Sequence, residues 1–379
     1  MIHSIRSLFC FSALVLLALC GSTHAQRTAS LADVLSDSEW SRLEKSVDKA
    51  LAYLSKQQAP DGSFRGNDVG QPAITSLGIM AYLSRGHQPG SGPYGKQLER
   101  AIDYVLSTQR RDGLFTRLDA PGPRYIPNQP DHTATYNHAI AGLMLGEMYG
   151  MCTGQRSEQV RRAIEQALIF TWRLQAQKKD KATDKGGWRY IHDRDDRDSD
   201  ISVTGWHLMF LRSAKNAEFD VPKVYVDAAV GFVKRCYVGS KSKGTFSYYP
   251  GEKDKASLTM TCIGTLSLAL GGLHRDPLVL EAADWMLDDG VEDYGDHKRW
   301  HYRYYYYVQA MAQVGGEHWK KTFPKVLKEL VNGQKRDGSW DGEGGKKNPS
   351  ERFLGDAYFT SLGVLTLTPP YQLLPLYQR

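Results

Sequence analysis

Two kinds of helical segment alternate along this chain, and the alternation constrains its fold more than any other feature. The first kind is amphipathic. Trp40, Leu43, Val47, Leu51 and Leu54 share one helical face, with Glu44, Lys45, Asp48 and Lys49 on the other. Segments 96–109, 159–177, 223–237, 277–288 and 321–333 follow the same pattern. The second kind is apolar on nearly every side and rich in Gly, Ala, Ser and Thr. It covers 74–83, 135–149, 203–211, 258–270, 302–314 and 358–367. A helix that is apolar all round is buried all round. Six half-exposed helices alternating with six buried ones predict an all-α domain of two concentric rings, the apolar helices inside. No shift in composition divides the chain, so one closed domain is expected from residue 38 to 379.

A short phrase marks the passage from an amphipathic helix to an apolar one. It reads Gln58-Ala-Pro-Asp61-Gly62-Ser-Phe64, then Gln109-Arg-Arg-Asp112-Gly113-Leu-Phe115, then Gln334-Lys-Arg-Asp337-Gly338-Ser-Trp340. Looser copies are Gln177 with Gly186-Gly187-Trp188, and Gly244-Thr-Phe246. Glycine supplies the left-handed conformation that ends a helix, and Asp favours the turn. The aromatic residue is placed to fold back on the helix end, and Gln to bond free carbonyls or the next repeat. The phrase is therefore expected to clamp neighbouring repeats together.

These Gln-x-x-Asp-Gly-Ser-Trp repeats between alternating helices resemble the repeats of the prenyltransferase and squalene oxidase (squalene/hopene cyclase) superfamily. The resemblance implies an (α/α)6 toroid of about twelve helices. Asn137-His138-Ala-Ile-Ala-Gly, the run Tyr304–Tyr307 with Gln309-Ala-Met, Gly315-Gly316-Glu317-His-Trp319, and Leu373-Leu-Pro375-Leu-Tyr377-Gln378 look like an exported single-toroid branch seen in planctomycete-type bacteria.

The amino terminus fits export. Arg6 precedes a short apolar run at 8–19, and Thr23-His24-Ala25 sets small residues at a cleavage position before Gln26. Residues 1–25 read as a signal peptide and 26–37 as a linker. The apolar run falls short of the ~20 residues that a membrane helix needs. Lipidation at Cys20 is the alternative, with Leu19 standing where a small residue usually precedes such a cysteine. Cleavage leaves Cys152, Cys236 and Cys262, all in helical patterns and expected as buried free thiols. The formal charge of +6 comes from 48 basic and 42 acidic residues that interleave, which speaks against nucleic acid as a partner.

In a toroid, the polar residues just before the inner helices face the central cavity. Four groups qualify: Asp131 with His132, Asp198 with Asp200, His301, and Asp356. The run Asp198-Ser199-Asp200-Ile201-Ser202-Val-Thr204-Gly-Trp206 resembles the Asp-x-Asp-Asp motif with which class II terpene cyclases protonate an alkene. Asp200 corresponds to the acid and Asp198 to the first Asp, while Ile201 replaces the last. That chemistry needs a carboxyl kept protonated by a neighbouring carboxylate and a dry aromatic cavity. The alternative is that Asp200 or Ser202 caps the following helix. Protein prenyltransferases of this fold bind zinc through an Asp-x-Cys, which does not occur here; Asp131, His132 and His301 would be the nearest substitutes. No cofactor is expected.

Tyr302 and Tyr304–Tyr307 crowd the start of one inner helix. Their faces, with Trp206, suit a carbocation, a polyprenyl chain or a sugar, and serve equally to wedge the two rings apart. Three functions follow: an isoprenoid-binding or isoprenoid-protonating toroid using Asp198, Asp200 and His301; a non-catalytic exported toroid that binds a lipid, glycan or protein; and a carbohydrate-active (α/α)6 enzyme. In the first, Asp131, His132, Trp206, Tyr304 and Asp356 would line the substrate. The last needs two opposed carboxylates, for which Asp131, Asp200 and Asp356 are the candidates.

Overall fold

A computed structural model describes residues 30–117, 133–191, 197–239, 244–289, 300–341 and 354–378. The expected signal peptide, Cys20, Asp131 and His132 lie outside these residues. The described part is helical apart from a pair of two-residue strands, β1 (Tyr237–Val238) and β2 (Thr245–Phe246), which hold the fourth copy of the phrase.

The amphipathic helices are α1 (Asp37–Lys56), α3 (Gly95–Ser107), α5 (Gly154–Gln175), α7 (Lys223–Arg235), α9 (Pro277–Asp289) and α11 (Gly316–Gly333). The apolar ones are α2 (Ala73–Leu83), α4 (Ala134–Met148), α6 (Ile201–Asn216), α8 (Leu258–Leu270), α10 (Trp300–Val314) and α12 (Asp356–Leu367). Every residue of α2 is buried, whereas α1 buries one stripe: Leu43, Ser46, Val47, Ala50, Leu51 and Leu54. Each inner helix packs on its two inner neighbours, and α12 returns to α2, so the inner ring closes. The (α/α)6 toroid is the fold, with the six apolar segments inside as expected.

The phrase is a clamp. Gln58 Nε2 donates to Gly62 O (3.0 Å) in its own turn and to Gln97 O (2.8 Å) on the next outer helix. Gln109 does the same to Gly113 O and Ala163 O. In the third copy the clamping residue is Gln175, which reaches Gly186 O and Tyr225 O, rather than the expected Gln177. Gln175 ends α5, where its amide reaches both the turn at Gly186 and the first turn of the next outer helix at Tyr225. Gln334 bonds Gly338 O and Ser46 O of α1, so the last clamp fastens the end of the ring to its beginning. Glycine is required in the turn: Gly338 has φ 97°, and a Cβ there would run into the Lys49 carbonyl.

The clamp aromatics Phe64, Phe115, Trp188, Phe246 and Trp340 are fully buried against the inner ring. Their backbone N–H groups find one recurring partner. Phe64, Trp188, Phe246 and Trp340 donate to the hydroxyls of Thr75, Thr204, Thr261 and Thr360, and Phe115 to His138 Nδ1. Three residues beyond the threonine, Gly78 and Gly363 leave room for the ring; a Cβ there would come within 2.6 and 2.7 Å of Phe64 and Trp340.

Two expectations change. The segment before α1 is no free linker. Leu31–Val34 forms a 3₁₀ turn with Leu31 buried, and Leu31 O accepts from Trp319 Nε1 of α11 (2.8 Å). Cys236 and Cys262 are buried free thiols, but Cys152 is half-buried in the α4–α5 connection, outside any helix. Gly150 and Gly154, both with positive φ, stand on either side of it and interrupt the pattern that read as helical.

Candidate functional site

The inner helices run in the same direction, and their N-terminal ends meet at one mouth. Tyr136 in the first turn of α4, Ser202 in the first turn of α6 and Tyr302 at the start of α10 are joined by hydroxyl hydrogen bonds. Ser202 Oγ lies 3.1 Å from the Tyr136 hydroxyl and 2.7 Å from that of Tyr302. In a ring of six, α4 and α10 stand opposite one another, so this chain of hydroxyls crosses the opening. Trp206 lies one turn deeper on α6. Its indole N–H donates to the Tyr302 hydroxyl (3.2 Å), and its ring stacks on Tyr305 (5.6 Å, 12°) and meets Tyr306 edge-on. Trp206 is 1% exposed, whereas Tyr136 and Tyr302 are half-buried. The aromatics therefore floor the mouth, with hydroxyls uppermost.

One wall of the mouth is built on a buried ion pair. Asp200 is the N-cap of α6: Oδ1 accepts from the Val203 N–H (2.8 Å), and Oδ2 accepts from Arg189 Nη1 (2.7 Å). Arg189 also donates to the Tyr248 hydroxyl (3.5 Å), and its guanidinium lies over the rings of Tyr190 (4.7 Å) and Tyr249 (5.1 Å). The Tyr190 and Tyr248 hydroxyls are 3.3 Å apart, and Tyr190 faces Tyr136 across 6.1 Å. Burial pushes the Asp200 carboxyl up, against the pull of Arg189 and the Val203 N–H. Burial also opposes the Arg189 charge, but Asp200 outweighs it and the guanidinium is held above its ordinary value. The two directions pull the Asp200 proton opposite ways, and the geometry decides. Both oxygens receive donors, one of them cationic, so the arrangement is that of a carboxylate in an ion pair.

Asp198 does not share its environment with Asp200. Its Oδ2 accepts from the Asp180 N–H (2.6 Å), its own N–H donates to Asp184 Oδ2 (2.9 Å), and its carbonyl accepts from Lys179 Nζ (3.1 Å). Asp184, fully buried, and Arg197 complete that loop. The expected couple, in which one carboxylate keeps its neighbour protonated, is replaced by two carboxylates with separate partners. The reason is local. Ser199 between them turns its hydroxyl to Asp184 O (2.6 Å), and Asp200 bridges to Trp188 as the chain enters α6.

The remaining expected residues are spread around the same end. His301 is buried in the first turn of α10 against Phe359 (4.6 Å), and burial holds its imidazole well below the usual range, hence neutral. Tyr304 is buried beside Trp300. Asp356 opens α12 half-exposed, 3.5 Å from Lys335, and burial raises its carboxyl against that lysine. Hydrogen bonds bring together Trp206, Ser202, Tyr302 and Tyr136, and separately Asp200, Arg189 and Tyr248. Among the described residues they do not join Asp356 or His301 to either group. Among the described residues no cluster of three His, Cys, Asp or Glu could hold a metal ion, and none of the helices is long and apolar enough to cross a membrane.

Reading the sequence missed Arg189, Tyr190, Tyr248 and Tyr136. A signal for two of them exists. Tyr190 and Tyr248 each stand two residues after a clamp aromatic, Trp188 and Phe246, where the chain leaves the clamp for the mouth.

No family profile matches this chain. Solved structures share the fold at low identity. An α-1,6-mannanase, GH76A of Salegentibacter sp. HEL1_6, in complex with α-1,6-mannotriose, superposes with a TM-score of 0.61 at 10% identity over 87% of this chain and 99% of that one. A glycosidase in complex with glucose gives 0.58 at 12% identity over 90% and 100%. A type II terpene cyclase, MstE from Scytonema, in complex with merosterolic acid A, gives 0.54 at 16% identity over 90% and 100%. The toroid is common to sugar-cleaving and terpene-cyclising enzymes, and the likeness extends to the fold alone.

Proposed function

We propose that this chain is an exported toroid whose mouth binds a carbohydrate. The observation that carries the reading is the set of hydroxyls from Tyr136, Ser202 and Tyr302 lying across the mouth above Trp206, with those of Tyr190 and Tyr248 beside it. A sugar offers donors and acceptors to each of them and an apolar face to the rings. A hydroxyl can donate one hydrogen bond and accept two, so each has capacity left beyond its protein partner that a sugar can fill and a hydrocarbon chain cannot. Two of the three structures compared above are named for action on glycosides or mannan.

The stacked Trp206 and Tyr305 with Tyr306 edge-on favour a second reading, a polyisoprenoid at the same floor. Its protonation would need a free acid, and Asp200 is engaged at both oxygens. The first reading is therefore preferred.

Calorimetric titration with glucose, α-1,6-mannotriose and a short polyprenol tests it. Binding of a sugar, weakened at least about tenfold by Tyr136→Phe with Tyr302→Phe, is the expected result. Binding of the polyprenol with none of either sugar would move the assignment to the second reading. Release of reducing ends from the bound oligosaccharide distinguishes an enzyme from a binding protein.

A further inference from the structure

At the far end of the inner ring the segment after α12 lies across the helix ends. After α12 the chain makes two 3₁₀ turns, Pro369–Tyr371 and Pro375–Tyr377, and Leu374 and Leu376 are buried there. Leu376 hangs between opposite walls. Its N–H donates to Glu147 Oε2 (3.0 Å) at the end of α4, and its carbonyl accepts from Gln313 Nε2 (3.0 Å) at the end of α10. Asn216, last in α6, donates to Pro375 O (3.2 Å). The peptide thus spans the exit between three inner helices.

Glu147 is the unusual member of this seat. It is 1% exposed, and its second oxygen, Oε1, has no hydrogen-bond partner. Gln313 Oε1 and Thr368 Oγ1 are buried without partners at the same end. Beside the Leu376 N–H, the Ser213 hydroxyl of α6 lies near Glu147, though it donates to Leu143 O (3.2 Å); among the described residues no charged side chain of α2, α5, α6, α10 or the tail acts on it. An ionised carboxylate in this place is desolvated with neutral donors alone and no counter-ion, whereas the protonated acid fits without that penalty.

We propose that the C-terminal tail is a proton-dependent stopper, seated across the far end of the ring while Glu147 is protonated and released from it when Glu147 ionises. The proposal stands apart from what the mouth binds. Burial raises the Glu147 carboxyl to about 7, against the Leu376 N–H and the Ser213 hydroxyl, which lower it. A carboxyl raised in the seated state binds more protons there than in the released state. Seating is then firmest below the ordinary carboxyl range and weakens as pH rises through about 7. Release uncovers the seats of Leu374 and Leu376 and gives the ring a second opening.

Hydrogen exchange of the Leu376 amide in the full chain, corrected for the intrinsic effect of pH, reads the stopper directly. Its opening equilibrium is expected to rise on the order of a hundredfold between pH 4.5 and 8. In Glu147→Gln, whose amide oxygen can still accept the Leu376 N–H, it should stay flat. Constant protection in the natural chain, or an equal rise in Glu147→Gln, overturns the proposal. A chain ending at Gln372 provides a check that does not depend on that variant folding. With Glu147 opened to water, its thermal stability should lack the decline between pH 5 and 8 that is expected of the full chain; an identical decline in both chains overturns the proposal.

Discussion

The two ends of the inner ring are both bridged from α4 to α10, but by different materials. At the mouth the bridge is made of side chains: the hydroxyls of Tyr136, Ser202 and Tyr302, with half-buried rings around them. At the far end it is made of backbone: the Leu376 peptide, flanked by two buried leucines. Side-chain hydroxyls can exchange partners with a ligand while the helices stay where they are. A peptide bridge can open only by moving chain. The mouth is thus suited to recognition and the far end to closure, and the wall between them, held by the clamps, keeps the two apart.

The largest loss is expected from the wall of the mouth. Asp200→Ala removes the α6 cap and takes the carboxylate away from the buried Arg189 charge, for about 4–6 kcal/mol in all, read from urea midpoints. Replacing both residues, Arg189→Met with Asp200→Asn, should cost less than Asp200→Ala; a larger loss in the double variant would mean that the pair is net stabilising. Next come the clamps. Trp340→Ala and Phe64→Ala should each cost about 3–5 kcal/mol in thermal melts and leave ligand preference unchanged. At the far end, Leu376→Ala should cost about 2–3 kcal/mol without altering sugar affinity at the mouth. A matching loss of affinity would show that the two ends are coupled. The smallest change in stability belongs to Ser202→Ala, about 1 kcal/mol, yet it should weaken sugar binding about tenfold by breaking the bridge in its middle.

The helices were legible in the sequence because burial is written into composition. The inner segments are apolar on all faces, and all twelve helices fall where that contrast places them. The clamp was legible because Gly and Asp have turn chemistry that does not depend on distant residues. Its inner partner was harder to see. Thr75, Thr261 and Thr360 each precede a glycine by three positions, a signal hidden inside segments that look uniformly small and apolar. The site was legible only in part. Trp206 and Tyr302 stand out by type, but Arg189 belongs to it through a contact with Asp200 eleven residues away, and the role of Asp200 turns on which donors reach its two oxygens. The Asp-x-Asp spacing does not encode that. The tail was recognisable as a sequence feature, while its seat joins residues up to 229 positions apart.

The seam between α11 and α1 has a consequence for how the molecule comes apart. In an open array of repeats the terminal units lack one neighbour, and unfolding can begin there and spread. Here Gln334 holds Ser46, and Trp319 holds Leu31, each across 288 positions, so every repeat has a neighbour on both sides. A ring of this kind has no end from which to fray. It should melt in one cooperative step despite being built from small units. The seam contacts, with the longest loop to close, should form late in folding. Because the first and last repeats are already fastened together, Gln334→Ala, which opens that seam, should broaden the melt more than Gln109→Ala, which loosens a clamp inside the ring.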